Sequence, residues 1–273
     1  MNKLKIGIVG CGAIGSSLAK IIREKFFRDS ELAALYDVEL VKAQKLSVAL
    51  CGKKELAADS LKELIGRSGF VIECARAQDS WDIASNALRA GRDVMVMSVG
   101  GIAAHYKDLI KLARKGNCRV YIPSGAISGL DALKAANQQK ISKVMLVTRK
   151  NPRSFAGVEY IKKRRINLAG IKKDKVIFSG SAQEAVKHFP QNINVASVLS
   201  LAGIGQEKTR VKIIASPGTS KNIHEVSVIS DAGNIFTRTE NILHPDNPKT
   251  SYMAVLSAEA TLKQVLHPIK IGT

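Results

Sequence analysis

Short apolar runs alternate with amphipathic segments through the first 123 residues. The apolar runs have the length of buried strands and lie at 5–9, 32–36, 70–75, 93–97 and 118–122. The segments between them repeat apolar residues at helical spacing. Regular alternation of strand and helix predicts an α/β fold, with a Rossmann-type doubly wound parallel sheet.

The pattern changes at residue 123, where small residues cluster before a predicted helix at 131–139. Beyond it, strands of alternating apolar and polar residues are predicted at 143–149, 175–179, 210–215, 224–229 and 235–239. The sequence Asp231-Ala232-Gly233-Asn234 is a hairpin turn between the last two. This half of the chain is therefore predicted to be an α+β domain with a mainly antiparallel sheet.

An amphipathic helix predicted at 251–265 follows the second domain. We expect it to pack back on the first domain. The predicted organisation is a dinucleotide-binding domain at 1–123, a catalytic and dimerisation domain at 124–245, and a C-terminal segment at 246–273.

A glycine motif connects the first strand to the first helix. Its sequence is Gly10-Cys11-Gly12-Ala13-Ile14-Gly15, a G-x-G-x-x-G in the strand–turn–helix context that gives this motif its meaning. Gly10 permits a sharp turn, Gly12 lets a pyrophosphate approach the main chain, and Gly15 lets the helix pack against the strand. Ala13 and Ile14 open the helix, whose N-terminus offers free N–H groups and positive potential.

An acidic residue, Asp37, ends the second predicted strand and lies 22 residues past Gly15. A carboxylate at this point accepts the hydroxyl groups of the adenosine ribose. It favours NAD, because it repels a 2′-phosphate, whereas Lys42 and Lys45 leave some use of NADP open. The alternative is a glycine turn in an α/β protein that binds no nucleotide.

The composition excludes several classes of protein. Hydrophobic residues make up 45% of the chain, and no apolar run approaches the roughly 20 residues that cross a bilayer. The chain enters a strand directly, without the pattern of a signal peptide. Four scattered cysteines are typical of free thiols in a reducing cytosol and form no metal-ligand spacing. We therefore expect a cytoplasmic protein without a membrane partner or a metal site.

The net charge of +19 is unusually positive, and residues 140–175 hold twelve Lys or Arg against two acids. One interpretation is a nucleic-acid-binding surface. The segment has no zinc-finger or helix-turn-helix signature and few aromatic residues. A solvated basic face that attracts anionic small molecules is the favoured interpretation, and no nucleic-acid partner is expected.

Histidine suits proton transfer near neutral pH, and the chain has five. His224, at the entrance to a strand of the second domain, is the first candidate, and His188 is the second. Asn192 opens a predicted helix and either caps it or binds the carboxamide of a nicotinamide. The small turn at Gly125 and Ala126 is a candidate to present a backbone N–H to the same ring.

Four segments together resemble the L-aspartate dehydrogenase family. They are PSGAISGLD at 123–131, FPQNINVA at 189–196, NIHE at 222–225 and HPDNPKTSY at 244–252. With the glycine motif, the resemblance runs nearly from end to end. The resemblance implies NAD(P)-dependent oxidation of L-aspartate to iminoaspartate by a homodimer. The product would hydrolyse to oxaloacetate and ammonia or enter quinolinate and NAD synthesis.

The resemblance also implies roles for three residues. His224 would be the active-site residue, and Ala126 and Asn192 would contact NAD. Glu225 would either set the tautomer of His224 or point away from it. Two other hypotheses stay open: another two-domain dehydrogenase, acting on homoserine or a sugar, and a dinucleotide-sensing regulator that binds nucleic acid.

Overall fold

The computed structural model of the chain describes residues 3–189 and 194–272. It divides into two compact units. Unit 1 comprises Met1–Pro123 and Val255–Lys270, and unit 2 comprises Ser124–Ala254 and Ile271–Thr273. No helix among the described residues is long and apolar enough to cross a membrane.

Unit 1 is built on a five-stranded parallel sheet. Its strands are β1 Leu4–Val9, β2 Ser30–Tyr36, β3 Phe70–Glu73, β4 Asp93–Val96 and β5 Val120–Tyr121. They lie in the order β2-β1-β3-β4-β5. The strand order reverses beside β1, so the glycine turn after β1 lies where ligands of doubly wound sheets bind. The predicted Rossmann-type sheet is confirmed.

The segments between these strands form helices, because apolar residues recur along one side of each segment. They are α1 Ala13–Lys25, α2 Leu40–Cys51, α3 Leu61–Arg67, α4 Ala77–Arg89, α5 Val99–Ile102 and α6 Tyr106–Lys115. In α1 the buried residues include Leu18, Ile21 and Ile22, at the spacing of one helical face. They join Ile6 and Ile8 of β1 in a continuous core.

Unit 2 is built on a second five-stranded sheet. Its strands are β6 Ile141–Lys150, β7 Lys175–Ser181, β8 Arg210–Ala215, β9 Asn222–Ser230 and β10 Gly233–Asn241. Their order is β10-β9-β6-β8-β7. The pair β6·β8 is parallel and the other pairs are antiparallel. The predicted mainly antiparallel sheet is confirmed.

Helices of unit 2 lie at α7 Leu130–Ala136, α8 Glu159–Lys163, α9 Ala182–His188 and α10 Asn194–Ala202. A core of apolar side chains joins the sheet to these helices, including Val144 and Leu146 of β6 and Val226 of β9. Alternate residues of each strand enter this core, as the period of a strand requires. The same alternation decides which polar side chains share the buried face.

The last helix, α11 Tyr252–Leu266, places Val255, Ala258 and Leu262 in the core of unit 1. The predicted C-terminal segment began at 246, but residues 246–254 group with unit 2. The reason is local pairing. A short hairpin joins β11 Leu243–His244 to β12 Asn247–Ser251, and the Tyr252 N–H donates to the Ile242 carbonyl.

Candidate functional site

The glycine turn after β1 has the geometry that the motif predicted. Gly10 has φ +96°, and a Cβ there would lie 2.5 Å from the carbonyl oxygen of Cys74. A Cβ on Gly15 would overlap the carbonyl oxygen of Gly10, so only glycine lets α1 approach this closely. A Cβ on Gly12 would meet nothing within 4 Å, so the main chain there is open to a ligand.

The N-terminus of α1 follows this opening, with Ala13 and Ile14 as its first residues. In the part of the chain that the structure describes, no side chain caps α1, and its first turn contains no acidic residue. Unsatisfied N–H groups and the helix dipole therefore offer a site for an anion. These residues fit the pyrophosphate of a dinucleotide.

Asp37 lies just after β2 and beside the glycine turn. Its carboxylate accepts the Cys11 N–H at 2.8 Å and the Glu39 N–H at 2.9 Å. These bonds hold the acid at the edge where the adenosine ribose would bind. The nearby Lys42 pairs with Glu39 at 2.6 Å rather than with Asp37.

Glu73, at the end of β3, is a buried carboxylate that the sequence had not singled out. It accepts the Ala75 N–H at 2.8 Å, the Ser80 hydroxyl at 3.1 Å and the Ser98 N–H at 2.9 Å. Burial raises its pKa to about 7, against the opposing effect of these hydrogen bonds. Glu73 thus ties together the loops that follow β3 and β4.

The two cysteines of this edge are structural. Burial, reinforced by Asp37, raises the pKa of Cys11 to about 12. Burial also raises the pKa of Cys74, with Glu73 adding to it. Both groups therefore stay protonated and unreactive at neutral pH.

His224 lies in unit 2, on β9, and its side chain is 3% exposed. Its strand register pairs it with Thr148 of β6. His224 Nδ1 lies 3.1 Å from Thr148 Oγ1, while Nε2 has no hydrogen-bond partner within residues 3–189 and 194–272. A base at Nε2 requires the tautomer in which Nδ1–H donates to the threonine.

A buried cation, Lys150, accompanies this histidine. Lys150 is two residues beyond Thr148 on β6, on the same strand face, and is 6% exposed. Burial lowers its pKa to about 8. Burial first, and then the charge of Lys150, lower the pKa of His224 to about 3. At neutral pH the pair is therefore an ammonium beside a neutral imidazole.

Ala126 lies close to the main chain of His224. The Ala126 carbonyl accepts hydrogen bonds from Thr239 Oγ1 at 2.9 Å and Asn241 Nδ2 at 3.0 Å. Thr239 is the β10 partner of His224 in the strand register. The structure thus brings together two predicted site residues from segments almost 100 positions apart.

Asn192, the other residue predicted to contact NAD, lies outside the described residues. The helix that follows it, α10, starts beside the Ala126 segment. This is shown by Gly125, where an added Cβ would lie 4.0 Å from the side chain of Val195. The role of Asn192 stays a prediction.

Glu225 points away from His224, which settles one alternative. It lies on the other face of the sheet and forms ion pairs with Arg149 at 3.2 Å and with Arg238. Successive strand residues face opposite sides, so neighbours in sequence cannot share the site. The hypothesis that Glu225 sets the tautomer of His224 is therefore wrong, and Thr148 is the residue in contact with Nδ1.

The other histidines have local contacts. His188 ends α9 and packs its ring 4.7 Å from that of Tyr160. His244 Nδ1 accepts the Asp246 N–H, His105 stacks on Trp81, and His267 is exposed near the end of the chain.

Thr148 and Lys150 were missed by reasoning from the sequence. The signal was present, because residues 144, 146, 148 and 150 alternate as the buried positions of β6. Thr148 and Lys150 therefore continue the buried positions that Val144 and Leu146 begin. Such a lysine is unusual, since charged side chains are seldom buried.

Comparison with known proteins covers both units. A family described as aspartate dehydrogenase, C-terminal, matches residues 131–265. A family described as homoserine dehydrogenase, NAD binding domain, matches residues 10–123. The L-aspartate dehydrogenase of Methanosarcina barkeri is 45% identical, covering 99% of this chain and 100% of the relative. The chain belongs to the L-aspartate dehydrogenase family.

A second member of the family, from Methanococcus maripaludis, is 41% identical over 99% of this chain and 100% of its own. The aspartate dehydrogenase of Thermotoga maritima has a similar structure, with a TM-score of 0.76 and 27% identity. That likeness covers 99% of this chain and 100% of the other. A hyperthermophilic archaeal homoserine dehydrogenase in complex with NADPH shares the fold, with a TM-score of 0.59 and 16% identity over 96% of this chain and 98% of its own.

Proposed function

We propose that this chain oxidises L-aspartate to iminoaspartate with NAD(P), and that His224 is its acid–base residue. Membership of the L-aspartate dehydrogenase family over the whole chain supports the reaction. The observation that carries the assignment of His224 is its buried imidazole, which Thr148 contacts at Nδ1. The ring is neutral at pH 7 and held in one orientation, so its Nε2 is available to accept a proton.

Unit 1 supplies the cofactor site. We assign the pyrophosphate to the open main chain at Gly12 and the N-terminus of α1, and the adenosine ribose to Asp37. The carboxylate of Asp37 favours NAD over NADP, because a 2′-phosphate would be repelled. When bound, the nicotinamide supplies the acceptor for the hydride that leaves the aspartate Cα.

Unit 2 supplies the proton chemistry. His224 is neutral at physiological pH, so it takes a proton before it gives one back. We assign two steps to His224. It accepts a proton from the water that attacks the imine carbon, and it returns that proton as ammonia leaves. Ala126 and Asn192 are proposed to contact the cofactor.

Replacing His224 with alanine tests the assignment. We expect kcat for L-aspartate oxidation to fall by about 10²- to 10⁴-fold, the usual contribution of a positioned acid–base group. NADH affinity, measured by fluorescence titration, should stay within about twofold. His188→Ala, which changes the other candidate histidine of unit 2, is the control and should keep its turnover. Undiminished turnover in His224→Ala would refute the assignment.

A second candidate is a dehydrogenase of the homoserine type, favoured by the family that matches residues 10–123. A substrate screen with NAD separates the two. L-Aspartate should support NAD reduction, whereas L-homoserine, L-glutamate and L-malate should not. Reduction with homoserine and none with aspartate would reverse the assignment.

The setting of the enzyme is also proposed. The four cysteines are free thiols, which is typical of a reducing compartment and supports a cytoplasmic location. The family resemblance supports a homodimer and a product that either hydrolyses to oxaloacetate and ammonia or enters NAD synthesis. Light scattering of the purified protein should give twice the mass of one chain.

A further inference from the structure

The buried lysine of unit 2 has no role in the proton chemistry described so far. Lys150 is the last residue of β6, and β8 fixes its main chain. It pairs with Ala215 of β8 in the strand register, and its carbonyl accepts the Ser216 N–H at 2.8 Å. Its side chain shares a strand face with Thr148, which contacts His224. Lys150 is therefore held beside the acid–base residue by the sheet itself.

A charged group at this position costs stability. Removing an ammonium from water is unfavourable, and an apolar side chain of similar volume would suit a buried sheet position at lower cost. Burial accordingly lowers the pKa of Lys150 to about 8, but the group still carries its proton at pH 7. Unit 2 therefore keeps a positive charge at a position where packing alone would favour an apolar side chain.

During turnover, proton transfer adds a second positive charge close to the Lys150 ammonium. When His224 accepts a proton, an imidazolium forms close to the Lys150 ammonium, whose charge already lowers the pKa of the ring. Two neighbouring cations in a buried site repel each other strongly. An anion bound between them removes this penalty, and L-aspartate brings two carboxylates.

We propose that the Lys150 ammonium binds a carboxylate of the dicarboxylic substrate and holds it beside Nε2 of His224. This inference rests on the proposed oxidation of L-aspartate and extends it by naming a substrate-binding residue. The bound carboxylate compensates the charge of Lys150 and, during proton transfer, that of His224.

Lys150→Met tests the proposal, because methionine keeps much of the length and removes the charge. We expect the KM for L-aspartate to rise about 10- to 100-fold, the loss typical of a charge-assisted hydrogen bond. NADH affinity should stay within about twofold. Lys143→Met is the matched control, because Lys143 lies on the same strand but is exposed. Lys150→Arg, which keeps the charge, should recover part of the affinity.

The outcomes distinguish the inference from the proposed function. If the wild-type enzyme does not reduce NAD with L-aspartate, the proposed function fails. If it does, and Lys150→Met keeps its KM within about threefold, the inference alone is overturned. If Lys150 only supported the fold, its replacement would lower thermal stability and NADH affinity as well as raise KM.

A measurement on the unmodified enzyme covers the case in which Lys150→Met does not fold. Oxaloacetate has two ionised carboxylates and no amine, so its inhibition constant reports on the protein. It should weaken about tenfold from pH 7 to pH 9 as Lys150 loses its proton. His224, facing it from β9, is neutral throughout, and Ala215 faces it from β8. A constant value, or no inhibition, would overturn the proposal.

Discussion

The sites of the two units consist of different kinds of chemical group. At the edge of unit 1, main-chain groups and glycines shape the site: Gly10 and Gly15 for close approach, Gly12 for open space, and the N-terminus of α1 for an anion. In unit 2, side chains shape it: His224, Thr148 and Lys150, brought together by two neighbouring strands.

The difference follows from the two tasks. A pyrophosphate needs N–H donors and room, which a short contiguous turn supplies. Proton transfer needs one titratable group with a controlled pKa, and that control comes from burial and neighbouring charges. Unit 1 is therefore sensitive to added atoms in the turn, and unit 2 to changes in charge and hydrogen bonding.

Glycine substitutions should have the largest effect and should separate packing from binding in unit 1. Gly15→Ala places a Cβ on the Gly10 carbonyl, so we expect the unfolding free energy of unit 1 to fall by about 3 kcal/mol or more. Gly12→Ala adds a Cβ in open space. It should cost less than about 1 kcal/mol but weaken NADH binding at least about tenfold.

Denaturant unfolding and NADH titration check both variants. Equal stability loss in the two, or full NADH affinity in Gly12→Ala, would contradict the division between a packing glycine and a binding glycine.

Acid should destabilise unit 2 through His224. The folded-state pKa of His224 is lowered to about 3, whereas the unfolded ring titrates near 6.5. Below pH 6.5 the unfolded chain therefore binds an extra proton, and stability falls by up to about 1.4 kcal/mol per pH unit. The effect vanishes above pH 7, where the ring is neutral in both states.

His224→Gln, which does not titrate, should show a shallower loss of stability between pH 7 and pH 5. Unfolding midpoints measured across this range provide the comparison. Parallel curves for the variant and the wild-type enzyme would mean that the histidine is not held neutral.

Thr148→Val should have the smallest effect and should test the contact to Nδ1. Valine keeps the branched shape on β6 but removes the hydroxyl, leaving the imidazole without its partner. We expect kcat to fall about tenfold with little change in KM, as for other residues that orient a functional histidine. Thr148→Ser keeps the hydroxyl and should retain most of the activity in steady-state assays. Equal rates for valine and serine would exclude the hydrogen bond from catalysis.

The cofactor site was predictable because its parts are close in the sequence. Gly10, Gly12, Gly15 and Asp37 lie within 28 residues, and each is recognised by spacing and element context. His224 was predicted from its place at the entrance to a strand and then from the resemblance, but its environment was not. Glu73, at the end of a short apolar strand, resembled an ordinary strand boundary although it joins three donors.

By itself, the sequence determined the order of strands and helices, the change of pattern at residue 123 and the glycine turn, because these depend on local spacing. Only the tertiary structure decided that Thr148, and not Glu225, contacts His224, and that Lys150 is buried near the same ring. Strand register makes that choice. Residues 76 positions apart become neighbours, while the next residue along the chain faces the opposite side of the sheet.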